Sequence, residues 1–401
     1  MKYVVILGDG MADTPIDKLD GKTPLEAAKT PTLDMLSKKS EIGIAATIPD
    51  GMKPGSDTAN LAVLGYDPKV YYSGRSPLEA LSIGVDMKDT DIALRVNFVT
   101  VTEDEPFEEK VIIDHSSGEI SNEEAKELLE AIKKEMDCDE FKFYFGTSYR
   151  HCCIWDNGKV IELAQPHDHL EEKIGQYIPT EKKFADMMRR SYDILNHHPI
   201  NEKRRKNGQN VANCLWFWGA GTRPALKDFK EKTGKTGAMI SAVDLLKGIA
   251  IGANMKVIIV EGANGQLETN YEGKAQAALD ALLKDNMDFV YVHVEAPDEM
   301  GHQGSIERKI KAIEYLDTRL IKTVYEGLKA SGEDFRMLVT PDHPTPIAVR
   351  THTSTPVPYL LYDSTDEKEQ NIDYSEKDAE KTGILIKPGY KLMAHFLQEE
   401  E

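Results

Sequence analysis

Residues Asp288 to His302 read DFVYVHVEAPDEMGH. The first seven alternate bulky apolar and β-branched residues, the pattern of a buried strand. Ala296-Pro297 stops it, because proline has no N–H for the ladder. Asp298 and His302 follow, four residues apart. If a helical turn begins here they share a face, and a carboxylate and an imidazole can hold one metal ion. Gly301 between them allows the backbone to bend closely. On this stretch alone a second reading stands beside the first: Asp298 caps a helix and His302 lies at the surface.

Further strands end in the same chemistry. Lys2 to Leu7 is β-branched-rich and runs into Gly8-Asp9-Gly10; Phe335 to Thr340 ends in Pro341-Asp342-His343-Pro344. Thr351-His352-Thr353-Ser354 leads into the strand Tyr359 to Tyr362. Helical patterns at 243–251, 274–283 and 305–329 separate strands at 256–260, 289–294 and 335–340, so the fold class is α/β, with a mainly parallel sheet and helices on both faces. In such a sheet the strand ends converge on one rim. Asp9, Asp298, His302, Asp342, His343 and His352 then lie together, enough for two divalent ions. Oxygen and imidazole donors suit zinc, manganese or iron better than calcium.

A strand over 42–48 leads into Pro49-Asp50-Gly51-Met52-Lys53-Pro54-Gly55-Ser56-Asp57-Thr58-Ala59-Asn60. Gly55 permits a tight turn, Ser56 carries a hydroxyl, and a helix starts at Asp57. The free N–H groups and dipole of that helix start favour a phosphoryl group. A serine that only caps the helix is the plainer alternative. Joined to the metal set, Ser56 makes a phosphoryl-transfer site.

The chain has 401 residues, room for two domains. Its 68 acidic and 49 basic residues give a net charge of −19, which argues against nucleic-acid and anionic-membrane partners. No apolar run reaches the roughly 18–20 residues of a membrane span, and the start reads as a strand rather than a signal peptide. The four cysteines lack metal-ligand spacing and read as reduced core residues of a cytoplasmic protein. The partner expected is a small anionic substrate held by locally gathered arginines.

Between 90 and 170 the pattern changes to strands at 91–101, 110–114, 141–145 and 151–155 around one amphipathic helix, 121–135. This block reads as an inserted domain, leaving 1–89 and 171–401 as the discontinuous main domain. Trp216 to Pro224 reads as a glycine-rich loop. Gly234-Lys235-Thr236 is no P-loop, because the Walker A pattern requires glycine where this chain has Phe229.

The motifs GDGMAD at Gly8, PGSDTANLAVLGYDP at Pro54, YYSGRSPLEA at Tyr71, APDEMGH at Ala296, TPDHPTP at Thr340 and THTSTPVP at Thr351 resemble those of the archaeal-type, 2,3-bisphosphoglycerate-independent phosphoglycerate mutases of the alkaline phosphatase superfamily. They span nearly the whole chain. The resemblance implies one ion held by Asp9, Ser56, Asp342 and His343 and a second by Asp298, His302 and His352, with manganese first and zinc or cobalt as substitutes. It implies that phosphate passes from 3-phosphoglycerate to Ser56, and that glycerate turns in a closed cleft and takes it back on its other hydroxyl. 2,3-Bisphosphoglycerate is not required, and the chain is a monomer or small homo-oligomer. The insert would hold glycerate and supply the acid/base group. Asp114, His115 and His151 are the candidates for that group; Arg75, Arg95, Arg150, Arg204, Arg205, Arg223 and Lys274 are candidate anion clamps. The same metal site would serve another small-molecule phosphotransferase or phosphatase, such as the homoserine kinase role proposed for bacterial members of the branch. A catalytically silent binding protein is the remaining alternative, opposed by the presence of Ser56 and all six metal ligands.

Overall fold

The computed structural model describes residues 1–398. Its strands are, in chain order, β1 (Lys2–Gly8), β2 (Glu41–Ala45), β3 (Ile92–Val101), β4 (Ile112–Asp114), β5 (Phe141–Thr147), β6 (Arg150–Trp155), β7 (Cys214–Thr222), β8 (Gly237–Ile240), β9 (Lys256–Ile258), β10 (Phe289–Val294), β11 (Phe335–Thr340), β12 (Val357–Asp363) and β13 (Leu385–Ile386). The described chain folds as two units, one of residues 1–72 and 225–398, the other of residues 73–224.

The first unit is built on an eight-stranded sheet in the order β13-β2-β12-β11-β1-β10-β8-β9. β1 lies parallel between β10 and β11, with Gly8 opposite Val294 and Leu7 opposite Thr340. Every residue of β1, β10 and β11 is buried. That explains their near-continuous apolar sequences, since helices cover both faces of a parallel sheet. β12 runs antiparallel to both β11 and β2. The C-terminal ends of β1, β2, β10 and β11 therefore share one edge with the N-terminal end of β12. That edge carries every residue of the expected metal set.

The second unit has a five-stranded sheet, β4-β3-β6-β5 with β7 also paired to β3. Phe98, Phe143, Phe184, Trp216 and Phe217 fill its core under the helices Asn122–Met136 and Lys182–Leu195. Two sequence expectations change here. Trp216 to Gly221 is not a loop but part of β7, antiparallel to β3 from Thr222 opposite Ile92 to Cys214 opposite Val99. Its alternating Trp-Phe-Trp is a strand signal that the following glycines masked. The unit extends from 73 to 224 rather than from 90 to 170, β7 extending its far end by pairing with β3. The helix Arg75–Ser82 also belongs to it, packed on β3 and β7.

Cys152, Cys153 and Cys214 are buried as free thiols, whereas Cys138 is exposed. No described helix is long and apolar enough to cross a membrane.

Candidate metal and nucleophile site

The stretch 288–302 forms β10 and then the helix Ala296–His302, with Pro297 in its first turn. Asp298 sits inside that helix and is not its cap, so the i, i+4 face forms. Its Oδ2 lies 3.1 Å from His302 Nε2. The Nδ1–H of His302 donates to the Arg350 carbonyl at 3.0 Å, which leaves Nε2 as the free nitrogen of the neutral ring. His352 Nε2 is 3.0 Å from His302 Nε2 and 3.5 Å from Asp298 Oδ1. Donor atoms at these separations need shared positive charge. The hydrogen bond to Asp298 raises His302 to about 9. Burial opposes ionisation of Asp298, but its bonds to His302 and His352 outweigh burial and hold it well below the usual carboxylate range.

A second convergence adjoins the first. His343 Nε2 lies 3.1 Å from Ser56 Oγ, 3.3 Å from Asp342 Oδ2 and 3.5 Å from Asp9 Oδ1. Asp9, Asp342 and His343 are all buried. Asp9 Oδ1 is buried with no hydrogen-bond partner, a cost that a cation at this point would remove. Burial, then the charges of Asp342 and Asp298, push Asp9 far above the usual carboxylate range. Three carboxylates this close ionise together only beside compensating positive charge. The donors fit divalent metal: hard oxygens and imidazole nitrogens, gathered around one hydroxyl.

His343 also groups with Asp298 and His352, its ring 4.0 Å from that of His352, so the two convergences are contiguous. Thr345 stitches them, its hydroxyl donating to Asp298 Oδ1 and lying 3.3 Å from His343 Nδ1. Close approach requires glycine twice. Gly10 has φ +59°, and a Cβ there would come within 2.5 Å of Asp298 Oδ1. A Cβ on Gly301 would come within 2.6 Å of the Thr345 carbonyl.

Ser56 is the first residue of the helix Ser56–Val63, preceded by extended Gly55. One turn on, Asn60 donates to Asp342 Oδ2 at 2.9 Å and to the Ser56 carbonyl at 2.8 Å. Its own amide oxygen accepts from Tyr291 at 2.6 Å. The sequence reading missed Asn60, although its i+4 spacing from Ser56 was a usable signal. It also missed His293, whose Nε2 lies 2.8 Å from Asp9 Oδ2. The signal there was a lone imidazole within an apolar strand. Burial first, then Lys274, pushes His293 well below the ordinary histidine range.

Several of the expected anion clamps and acid/base groups have other work. Lys274 is fully buried and donates to the His293 carbonyl at 2.8 Å; burial lowers it to about 8. Arg204 is buried against Glu124, the Ser117 carbonyl and the Asn210 carbonyl. Arg205 bonds Glu103, Glu202 and Asn196, and Arg223 pairs with Asp89. Asp114 accepts from Ser116, Gly118 and Asn210, which outweigh burial and keep it ionised as a turn cap. His151 is packed between Phe98 and Phe145, and burial lowers it to about 3. A charge run or a polar pair in sequence cannot show that its partners already lie within the fold.

What remains in the second unit is a coherent cluster. Arg75 and Arg95 both bond Glu79, and Arg95 lies 4.4 Å over the Trp218 ring. Burial disfavours the Glu79 charge, but Arg95, Arg75 and Arg150 outweigh it. Two arginines share this one carboxylate and the charge of Arg150 also acts on it, so positive charge is in excess there. Beside them His167 lies 5.6 Å from Trp218 and 6.1 Å from His115, whose Nδ1 is buried without a hydrogen-bond partner. His167, Glu79 and Trp218 were not among the residues expected from sequence.

The family described as 2,3-bisphosphoglycerate-independent phosphoglycerate mutase matches residues 37–201. A protein of that name from Methanosarcina barkeri is 49% identical over 390 residues, covering 96% of each chain. A solved structure of a Pyrococcus horikoshii protein is 32% identical, covers 100% of this chain and 98% of its own, and superposes with TM-score 0.82. The cofactor-independent phosphoglycerate mutase of Thermoplasma acidophilum is 28% identical over 99% of both chains, with TM-score 0.69. With the fold and its carboxylate–imidazole edge accounted for, the chain belongs to the 2,3-bisphosphoglycerate-independent phosphoglycerate mutases.

Proposed function

We propose that the protein interconverts 3-phosphoglycerate and 2-phosphoglycerate, a step of glycolysis and gluconeogenesis, through a phosphoserine on Ser56. The observation that carries this reading is the position of Ser56 Oγ, 3.1 Å from His343 Nε2 at the start of a helix. Asp9, Ser56, Asp342 and His343 would hold one divalent ion, and Asp298, His302 and His352 a second; from the family resemblance we take manganese first, with zinc or cobalt as substitutes. Ions held there would lower the serine pKa and offset the charge that develops on the phosphoryl oxygens.

Ser56 Oγ loses its proton and bonds to phosphorus while the bond from phosphorus to the C3 oxygen breaks. The released glycerate oxygen takes up a proton. The C2 hydroxyl then gives up its proton and bonds to the same phosphorus while the bond to Ser56 Oγ breaks, and Ser56 Oγ takes up a proton, which restores the serine. The phosphate on the serine comes from the substrate itself, so no 2,3-bisphosphoglycerate is needed to supply it. We assign glycerate holding to Arg75, Arg95 and Arg150, and the proton carrier to His115 with His167 beside it. The surplus positive charge around Glu79 supports the first assignment; the unpartnered Nδ1 of His115 supports the second.

The test is an assay of metal-supplemented protein with 3-phosphoglycerate, quenched for mass spectrometry. The expected result is formation of 2-phosphoglycerate together with a phosphopeptide covering residues 54–60. Mutase turnover with the label on another residue would overturn the phosphoserine route, and absence of turnover with every divalent metal would overturn the activity.

A further inference from the structure

Asp9 ends a buried chain of hydrogen bonds that the mechanism above does not use. Val243 N–H donates to Ser241 Oγ at 3.0 Å, and Ser241 Oγ lies 3.2 Å from His293 Nδ1. His293 Nε2 lies 2.8 Å from Asp9 Oδ2. Ser241, His293 and Asp9 are 5%, 0% and 2% exposed. The main chain at His293 is itself pinned, its carbonyl accepting from Lys274 Nζ at 2.8 Å.

The order serine–histidine–aspartate has the outline of a nucleophile triad, but the ring is reversed. In a triad the aspartate meets Nδ1 and the serine meets Nε2. Here Asp9 meets Nε2, and Ser241 is buried with its oxygen accepting a backbone N–H. The hydroxyl proton of Ser241 is then free to point at Nδ1. With Nδ1 accepting, Nε2 carries the ring proton and donates it to Asp9 Oδ2. One oxygen of Asp9 is thereby occupied, and the other, Oδ1, lies 3.5 Å from His343 Nε2 and has no hydrogen-bond partner.

We infer that His293, set in one tautomer by Ser241, is a positioning residue that holds the Asp9 carboxylate in a single orientation and reserves Oδ1 for a divalent cation. The inference rests on the metal-dependent reading above. Outer hydrogen bonds of this kind set the orientation and basicity of a ligand, and losing one typically weakens metal binding about 10- to 100-fold.

The test is titration of metal-stripped protein with Mn²⁺, followed by the electron paramagnetic resonance of free ion, for wild type, His293→Leu, His293→Gln and Ser241→Ala. Wild type is expected to bind two ions. In His293→Leu one of the two is expected to bind about 10- to 100-fold more weakly while the other is unchanged. His293→Gln, whose amide N–H can reach Asp9 in place of Nε2–H, is expected to recover most of the loss. Ser241→Ala, which removes only the tautomer control, is expected to weaken the same ion by a smaller factor. Should His293→Leu not fold, the glutamine and alanine variants decide: wild-type affinity in Ser241→Ala overturns the inference. A loss in His293→Leu that glutamine does not recover also overturns it, since packing alone would then explain the effect. Absence of Mn²⁺ binding by wild type is a distinct outcome and removes the metal reading itself.

Discussion

Ser56 Oγ and His343 Nε2 lie 3.1 Å apart although 287 residues separate them in sequence. The contact exists because β2 and β11 run the same way in the sheet with β12 between them, so the loops after both reach the same edge. Replacing Ser56 by alanine removes the one atom on the first residue of that helix able to take phosphate. Turnover is expected to fall by at least about a thousandfold, the order found when a nucleophile is removed. The melting temperature should stay close to that of wild type, because the side chain is small and partly exposed. An alanine variant that keeps most of its activity would rule Ser56 out.

His302 bridges Asp298 and His352 but is itself half-buried, with 35% of its side chain exposed. His302→Ala is therefore expected to cost more in bound metal than in folding stability. Elemental analysis of dialysed protein and a thermal melt separate the two effects. Chelation of wild type should abolish turnover, and Mn²⁺, Co²⁺ or Zn²⁺ should restore part of it. Full turnover in protein shown to be metal-free would contradict the two-ion reading.

Lys309 and Asp13 form an ion pair 2.8 Å long in which neither side chain has exposed surface. Lys309 Nζ also donates to the Ala12 and Thr345 carbonyls at 3.2 and 2.8 Å, tying the loop after β1 to the loop after β11. Lys309→Met leaves Asp13 buried and uncompensated, at an expected cost of about 3–5 kcal/mol in unfolding free energy. Denaturant titration measures it. A loss below about 1 kcal/mol would mean that water or a proton reaches Asp13.

Glu376 accepts from the Asp13 N–H at 3.0 Å and the Thr23 hydroxyl at 2.7 Å. Burial raises it from the ordinary 4.5 to about 7. The folded state thus binds the proton more tightly than the unfolded state. Its contribution is fully present below about pH 4.5 and is lost as pH rises to about 7, a change on the order of 3 kcal/mol. Glu376→Gln cannot ionise, so the variant should melt higher than wild type at pH 8, with the advantage shrinking toward pH 5. An advantage that stays constant across this range would place the Glu376 pKa near its ordinary value.

Where each metal-set residue falls along the chain was legible in the sequence. A strand buried on both faces has a continuous apolar pattern, and proline or glycine marks its end, so Asp9, Asp298 and Asp342-His343 were identifiable as residues just past β1, β10 and β11. β10 and β11 end where the pattern says they do. The i, i+4 pair Asp298 and His302 needed only local helical geometry. These features depend on interactions within a few residues, which the order of side chains dictates.

Tertiary structure alone decided which polar groups were already spoken for. Arg204 and Lys274 look available in sequence, yet each meets its partner through a contact with no local signature, Arg204 with Glu124 and Lys274 with the His293 carbonyl. β7 escaped notice because its glycine-rich end resembles a loop until β3 supplies the hydrogen bonds that make it a strand. The tautomer of His293, and with it the orientation of Asp9, depends on Ser241 from the end of a different strand. A charge or donor acquires its role only when burial removes water and leaves it a single partner, and burial is a property of the packed chain.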